Sequence, residues 1–464
     1  MKKGEHLTIE VVDVKFPNKP YGFFEQRKVY PKLNCIPGQT VTGRIKKMKK
    51  DKIELGNVEV IKKAENQIEP ACIHFDLCGG CTYQHLSYND QLELKTGQIR
   101  ELFGGKQIDF ENFLGIVPAK QQFGYRNKME LTFGNAEKDG PLTLGLHKRG
   151  SFYDIITIRD CKLMDEDFNK ITNFTIDFFK KENLSFYHKM KHTGFLRNLV
   201  IRKGEFTGEL LINLITTSQS DYDMNEWRNG ILSLELSKKI IGLLWTINDN
   251  ISDAVNSESE KILYGEKDFH EKLLGHDFKI SPYSFFQTNS SGAELLYSKV
   301  LEFLPDTEDK IIFDLFSGTG TIGQIVSKNA RYVYGIELVE EAVEKANENA
   351  ELNNIKNCKF IAGDVFKKAE ELREADIRPD IVIFDPPRAG VGQKALEKIL
   401  EFDMNEIIYV SCNPKTFIQD VEILKKSGFE LVKSVCVDMF PNTPHVETCV
   451  LLSHKKSQAS SPSL

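Results

Sequence analysis

The stretch KIIFDLFSGTGTIG, residues 310–323, decides the fold. An apolar run interrupted only by Asp314 gives way to a loop carrying Gly318, Gly320 and Gly323, the pattern of a buried strand that ends in a tight turn and opens a helix. Four further runs of this kind follow: ARYVYGIELVEEAVEKANENAELNN (330–354), KFIAGDVF (359–366), DIVIFDPPRAG (380–390) and EIIYVSCNPKTF (406–417). Short apolar runs alternating with helical ones predict an α/β unit with a parallel, doubly wound sheet.

In such a sheet every strand delivers its following loop to one edge, where ligands bind. That edge should gather Asp314, Phe316 and the glycines after the first strand, Glu337 after the second, Asp364 after the third, Asp385 after the fourth and Cys412 after the fifth. A thiol, several carboxylates and a glycine loop in one crevice are hard to explain by packing. Gly318 to Gly323 match G-x-G-x-x-G, and Glu337 follows near the spacing of a ribose-binding acid, about 20 residues. A nicotinamide dinucleotide and S-adenosylmethionine both satisfy that pattern, and so do glycines that merely serve the turn. In DPPR, 385–388, the paired prolines forbid helix and ladder alike, so Asp385 is fixed at a strand tip and suits an amide, imide or amino group on a planar ring. Taken alone, Cys412 reads as a small core hydrophobe as readily as a nucleophile. In HVETCVLL, 445–452, alternation sets Glu447 on the side of Cys449 and Leu451. Apolar surroundings raise a carboxylate's pKa and let it take a proton near neutrality.

Upstream, residues 7–61 alternate β-type runs with turn signals and predict a small, partly open barrel with Lys46, Lys47, Lys49 and Lys50 around one turn. Residues 1–62 hold 14 Lys and Arg against 7 Asp and Glu, although the whole chain of 464 residues is at −6. A basic end on an acidic body suits nucleic acid as well as a plain solvated face. The PGQTVTGRI stretch, 37–45, resembles a TRAM domain, a small RNA-binding barrel. MKKGEHLTIE lacks the apolar core of a secretory signal, and no run approaches the about 20 apolar residues of a membrane span, so a soluble cytoplasmic protein is expected.

CIHFDLCGGCTYQHL, 72–86, supplies Cys72, Cys78 and Cys81, and IRDCKLM supplies Cys161. The spacing C-x5-C-x2-C with a distant fourth cysteine lies one residue from a ferredoxin pattern, and only one short-spaced pair is present where structural zinc usually takes two. An iron–sulfur cluster, [4Fe-4S], is expected, with zinc as the rival. A helix is expected between Ser87 and Phe103, then an α+β body in which Arg126, Asn127, Lys128, His147, Lys148 and Arg149 are candidate phosphate contacts. The expected divisions are 1–61, 62–277, 278–455 and a disordered tail, 456–464.

DLFSGTGTIG, GIELVEEAVEKANENAELN, DPPRAG, VSCNPKT and HVETCVLL, in this order, resemble the RNA uridine-5-methyltransferase family, and the cysteine cluster and basic barrel resemble its ribosomal RNA branch. The resemblance implies a Rossmann-like methyltransferase domain, a monomer acting on 23S ribosomal RNA, or alternatively on the T-loop of transfer RNA. It implies that Cys412 adds to C6 of a uracil and that Glu447 removes the C5 proton. Gln287 in SFFQTNS, with Phe316, Gly318, Gly320, Glu337, Asp364 and Asp385, would surround S-adenosylmethionine, and Asp385 would also face the uracil. Phe285, Phe286 and Phe316 would line the crevice for a base taken out of its stack. One departure is Gln419, near which the family carries an arginine. The rivals are an iron–sulfur oxidoreductase using a dinucleotide, and a noncatalytic RNA-binding module.

Overall fold

The computed structural model describes residues 1–104, 112–251, 259–402 and 404–455. The expected tail, 456–464, lies outside the described residues. Strands β1 (His6–Glu10), β2 (Asp13–Lys15), β3 (Lys19–Phe24), β4 (Arg27–Pro31), β5 (Thr40–Met48) and β6 (Lys52–Lys62) form one sheet in the order β1-β5-β6-β4-β3-β2. It curls until Val12, just beyond β1, donates to Tyr21 of β3 at 2.9 Å. Leu7, Ile9, Val29, Val41, Ile45, Ile53 and Leu55 fill the inside, and alternation turns the charged residues out.

Helix α1 (Tyr88–Gly104) follows the cysteine segment, and β7 (Phe113–Val117) leaves it for the large sheet described below. The central sheet runs β10-β9-β8-β11-β12-β13-β14, from β8 (Lys128–Gly134), β9 (Thr143–His147), β10 (Ile155–Thr157), β11 (Leu196–Lys203), β12 (Glu209–Thr216), β13 (Lys239–Ile247) and β14 (Ser259–Gly265). Helices α2 (Glu166–Lys181) and α3 (Asn225–Leu232) cover one face through Phe168, Ile171, Phe179 and Trp227. Hairpin β15 (Phe269–Leu273) and β16 (His276–Ile280) comes next, so a division at 277/278 would fall inside β16.

The large sheet holds β17 (Ile311–Leu315), β18 (Tyr332–Glu337), β19 (Cys358–Ala362), β20 (Ile381–Phe384), β21 (Glu406–Ser411), β22 (Phe429–Val437) and β23 (Glu447–His454), in the order β19-β18-β17-β20-β21-β23-β22-β7. Its central strands β17, β20 and β21 are buried on both faces. Ile312, Ile381, Ile383, Ile408 and Val410 pack under α4 (Ser290–Phe303), α5 (Thr321–Ser327) and α6 (Glu340–Leu352), whereas Phe313, Leu315, Val382, Phe384, Ile407 and Tyr409 pack under α1, α7 (Val365–Glu374), α8 (Gln393–Ile399) and α9 (Pro414–Lys426). The first five strands are parallel, as the apolar runs predict. The sheet as a whole is mixed, because β23 pairs antiparallel with both β21 and β22. Among the described residues no helix is long and apolar enough to cross a membrane.

Candidate active site

Strand order reverses between β17 and β20, and loops leaving their carboxyl ends in opposite directions open a crevice there. Asp314 is wholly buried at its base. Its Oδ2 accepts from the Gly323 amide at 2.8 Å, and its Oδ1 is buried with no partner among the described residues. Phe316 follows at φ 66°, its ring edge-on to Phe366. Glu337 ends β18 and accepts from the Gly318 amide at 3.0 Å. The glycines divide by role. A Cβ on Gly320 would stand 2.4 Å from Phe360, and one on Gly323 2.9 Å from Asp314 Oδ2, so packing demands both. Gly318, at φ 53°, would meet nothing within 4 Å and leaves its backbone open to close approach.

Asp385 comes directly after β20, and its amide donates to Leu315 at 3.3 Å, fastening one strand tip to the other. Burial pushes its carboxyl up to about 7, and burial followed by the Asp385 charge does the same to Asp314. Ser411 of β21 pairs with Thr448 of β23, and these strands run in opposite directions, so the next residue on one and the preceding residue on the other, Cys412 and Glu447, adjoin at the crevice. Glu447 is 4% exposed, and burial, reinforced by Asp385, raises its carboxyl well above the usual range. The strand that sequence alone could leave at an edge is therefore interior. Cys412 is half-buried, and burial first, then the Glu447 and Asp385 charges, push its thiol up to about 11, with Arg388 opposing.

Local chemistry explains how Cys412 is held. Asn413 caps α9 through the Lys415 amide, and Pro414 occupies the first turn, where its missing N–H costs nothing. Asn413 Nδ2 and Thr416 Oγ1 both donate to the Arg388 carbonyl, at 3.0 and 3.1 Å, joining the cysteine loop to DPPR. Asp420 of α9 accepts from the Val391 amide at 2.7 Å, the Gly392 amide at 3.1 Å and the Tyr409 hydroxyl at 2.6 Å. Sequence reasoning missed Asp420; its one signal was an acid on the otherwise apolar face of α9.

Gln287 is set by Asn127, whose Nδ2 donates to the Gln287 carbonyl and to Ser290 Oγ, both at 2.8 Å. Asn127 is buried and serves this loop, a correction to its reading as a phosphate contact. The Gln287 side chain neighbours the hydroxyl of Tyr297, a buried residue of α4 that the sequence reading also missed. Burial, then Asp385, keep that hydroxyl protonated. Asp364 stays exposed and caps α7, its Oδ1 accepting from the Phe366 and Lys367 amides. The expected aromatic lining is corrected at Phe286, which packs in the core 5.9 Å from Phe278. Phe285 is 68% exposed and Phe316 half-buried.

The family model of tRNA (uracil-5-)-methyltransferases matches residues 87–455. The chain belongs to that family. An RNA methyltransferase of Clostridium tetani, named as uncharacterized, is 48% identical over 98% of this chain and 99% of its own length. One from Clostridium acetobutylicum is 46% identical over the same shares. The solved tRNA (uracil-54, C5)-methyltransferase of Pyrococcus abyssi, in complex with S-adenosyl-L-homocysteine, matches with a TM-score of 0.74 at 28% identity, covering 96% of this chain and 100% of that one. Membership makes the chain an RNA (uracil-5-)-methyltransferase and sets aside the dinucleotide oxidoreductase that the glycine loop left open.

The methyltransferase also brings Cys72, Cys78, Cys81 and Cys161, all buried, to the wall of one cavity of about 380 Å³. Burial pushes Cys81 up to about 12 and Cys161 to about 11. The Gly80 amide and Gln84 Nε2 donate to the sulfurs of Cys78 and Cys81, at 3.3 and 3.2 Å. Arg149, expected at a phosphate, instead donates to the Phe75, Cys78 and Cys81 carbonyls at 2.7, 3.1 and 2.7 Å. Among the described residues no group of three or more His, Cys, Asp or Glu is placed to hold a metal ion, so the four thiols wall a space and do not close on a point.

Of the expected RNA contacts, Lys46, Lys47, Lys49 and Lys50 stand exposed at the turn between β5 and β6. Arg126 and Lys128 are half-buried in the cysteine cavity wall. Arg126 donates to Thr288 Oγ1 at 2.8 Å, and Lys128 lies 3.8 Å from Glu130.

Proposed function

We propose that Cys412 and Glu447 divide the work of uracil C5 methylation in RNA. The observation that carries the reading is the antiparallel register of β21 and β23, which brings a thiol and a buried carboxylate together beside the fixed Asp385. Cys412 Sγ, once deprotonated, adds to C6 of the uracil and makes C5 electron-rich enough to attack a methyl group. S-adenosylmethionine supplies that methyl as an electrophile on sulfur. Glu447 then removes the C5 proton, the C6–S bond breaks, and the methylated uridine leaves with Cys412 restored. Burial raises the pKa of Glu447, which makes its ionised form a stronger base toward the C5 proton. Arg388 is the nearby group whose charge favours the thiolate.

The residues present fit the methyl donor. Asp314 offers an unpartnered buried oxygen, Gly318 an open backbone, and Gln287, Phe316, Gly320, Glu337, Asp364 and Asp385 border the same edge. The four thiols around one cavity, with N–H donors on two of their sulfurs, fit a [4Fe-4S] cluster, which spreads its ligands over several irons. There it would lock the cysteine loop against the central sheet.

Large-subunit (23S) ribosomal RNA remains the proposed target, with the curled, lysine-bearing N-terminal sheet acting as a TRAM-like RNA-binding unit and the enzyme working as a monomer. A transfer RNA T-loop is the second reading. It is favoured by the Pyrococcus likeness, whose 96% coverage leaves the barrel and the cysteine segment unable to separate the two RNA classes. Labelled methyl donor offered with each RNA class tests the target, and trapping with 5-fluorouridine RNA tests the chemistry. A covalent complex mapped to Cys412 is expected; methyl transfer with no such complex would overturn the reading.

A further inference from the structure

Residues 438–446 join β22 to β23 and end at Glu447. A connection usually runs over the surface, yet Asp438 is 0% exposed, Asn442 1% and Val446 1%. Buried backbone needs partners for its polar groups, and here they arrive from three directions. Lys95 of α1, itself 1% exposed, donates through Nζ to Asp438 Oδ1 at 2.6 Å, to the Phe440 carbonyl at 3.3 Å and to the His445 carbonyl at 3.2 Å. One ammonium thus grips the first residue after β22 and the residue two before Glu447. Gln91, one turn earlier on α1, accepts from the Asn442 amide at 2.9 Å and donates to its Oδ1 at 3.1 Å. The Thr82 and Tyr83 amides, just past Cys81, donate to the Asn442 carbonyl at 2.7 and 3.1 Å. From the Gln287 loop, Asn289 donates to the Met439 carbonyl at 2.7 Å.

We propose that Lys95 is a positioning residue for Glu447: by gripping both ends of this loop it fixes where the carboxylate stands, and with it the rate at which methylated RNA is released from Cys412. The inference rests on the proposed base role of Glu447. Lys95 acts through the loop. Addition of Cys412 and methyl transfer depend on β21, DPPR and the glycine loop, and proceed without it. Proton removal from C5 is the step that suffers.

The test uses the full-length enzyme with Lys95→Met and the double variant Lys95→Met/Asp438→Leu. The double variant leaves no unpaired buried charge, so it keeps the test readable where the single variant fails to fold. Turnover, KM for RNA and for methyl donor, and the fraction of enzyme covalently bound to uridine RNA on a denaturing gel are read together. Turnover should fall roughly 10- to 100-fold, part of what a general base supplies, with both KM values within about twofold. Covalent complex should accumulate, and Lys95→Arg should recover part of the turnover. Normal turnover in the double variant, or a fall with no accumulated complex, overturns the proposal. If Glu447→Gln also fails to accumulate the complex, the base assignment itself has failed; if Glu447→Gln accumulates it and the Lys95 variants do not, only this inference has.

Discussion

Cys412 and the cavity cysteines Cys78, Cys81 and Cys161 are all pushed toward the protonated thiol by burial, yet the regions holding them are built on different plans. Around Cys412 stand Asp385, Glu447 and Arg388, charges that favour or oppose the thiolate and can change as a reaction proceeds. Around the cavity Arg126, Lys128 and Glu130 share the wall with Met129, Leu146, Ile158 and Leu163, yet Cys81 and Cys161 are shifted by burial, N–H donors and the neighbouring thiols, and the cation of Arg149 is spent on backbone carbonyls. A thiol set among titratable groups can be switched between states. Thiols set against one another and a stapled backbone are held in one place. The first plan suits turnover and the second retention.

The contrast breaks if the two sets of cysteines can exchange consequences. Cys412→Ala should abolish methyl transfer, a loss on the order of 10⁶-fold, the scale of removing a covalent nucleophile, while donor binding by calorimetry and iron content stay as they were. Retained turnover would remove Cys412 from the mechanism. Glu447→Gln comes next, with turnover reduced by about 10² to 10⁴. Its signature is an RNA adduct that forms and stalls; normal release of methylated RNA would contradict the base role. On the other side, Cys161→Ser should lower iron content and the brown colour of freshly isolated protein and shift its melting temperature down, with Cys412 still alkylated by iodoacetamide. Stoichiometric zinc and no colour in the parent protein would reverse the cluster assignment.

How much of this could be read from the sequence follows from how each residue reaches its place. Asp314, Glu337, Asp385 and Cys412 each sit at the end of their own apolar run, so period and loop chemistry delivered them to one edge without knowledge of the fold. HVETCVLL read correctly as a strand, but its insertion antiparallel between β21 and β22 is a tertiary choice that no apolar pattern records, and that insertion is what brings Glu447 to Cys412. Residues that bond to backbone carbonyls were the least legible. Lys95 meets Asp438 across 343 positions, and Asn127 meets Gln287 across 160. A carbonyl carries no side-chain signature, so Arg149 and Asn127 looked like free polar groups available to phosphate. Phe286 shows the converse: in FF, one ring had to point inward, and neighbouring residues do not say which.

The smallest effect expected tests the crevice through its carboxylates. Asp385 and Asp314 are pushed to about 7 by burial, so below that pH the empty crevice holds protons that ordinary aspartates, near 4, have already released. The sulfonium of S-adenosylmethionine is positive, whereas the thioether of S-adenosylhomocysteine is neutral. If an ionised aspartate faces the sulfonium, binding the donor must expel a proton below pH 7 and none above it. Donor affinity should then rise by up to about tenfold per pH unit from 5.5 to 7 and level off, because one pKa unit is worth about 1.4 kcal/mol. Affinity for S-adenosylhomocysteine should stay nearly flat across that range. Calorimetry in buffers of different ionisation enthalpy counts the proton directly. Equal slopes for the two ligands would mean that the carboxylates stay protonated or stand away from the sulfur, and the crevice would lose the buried, switching carboxylates that set it apart from the cysteine cavity.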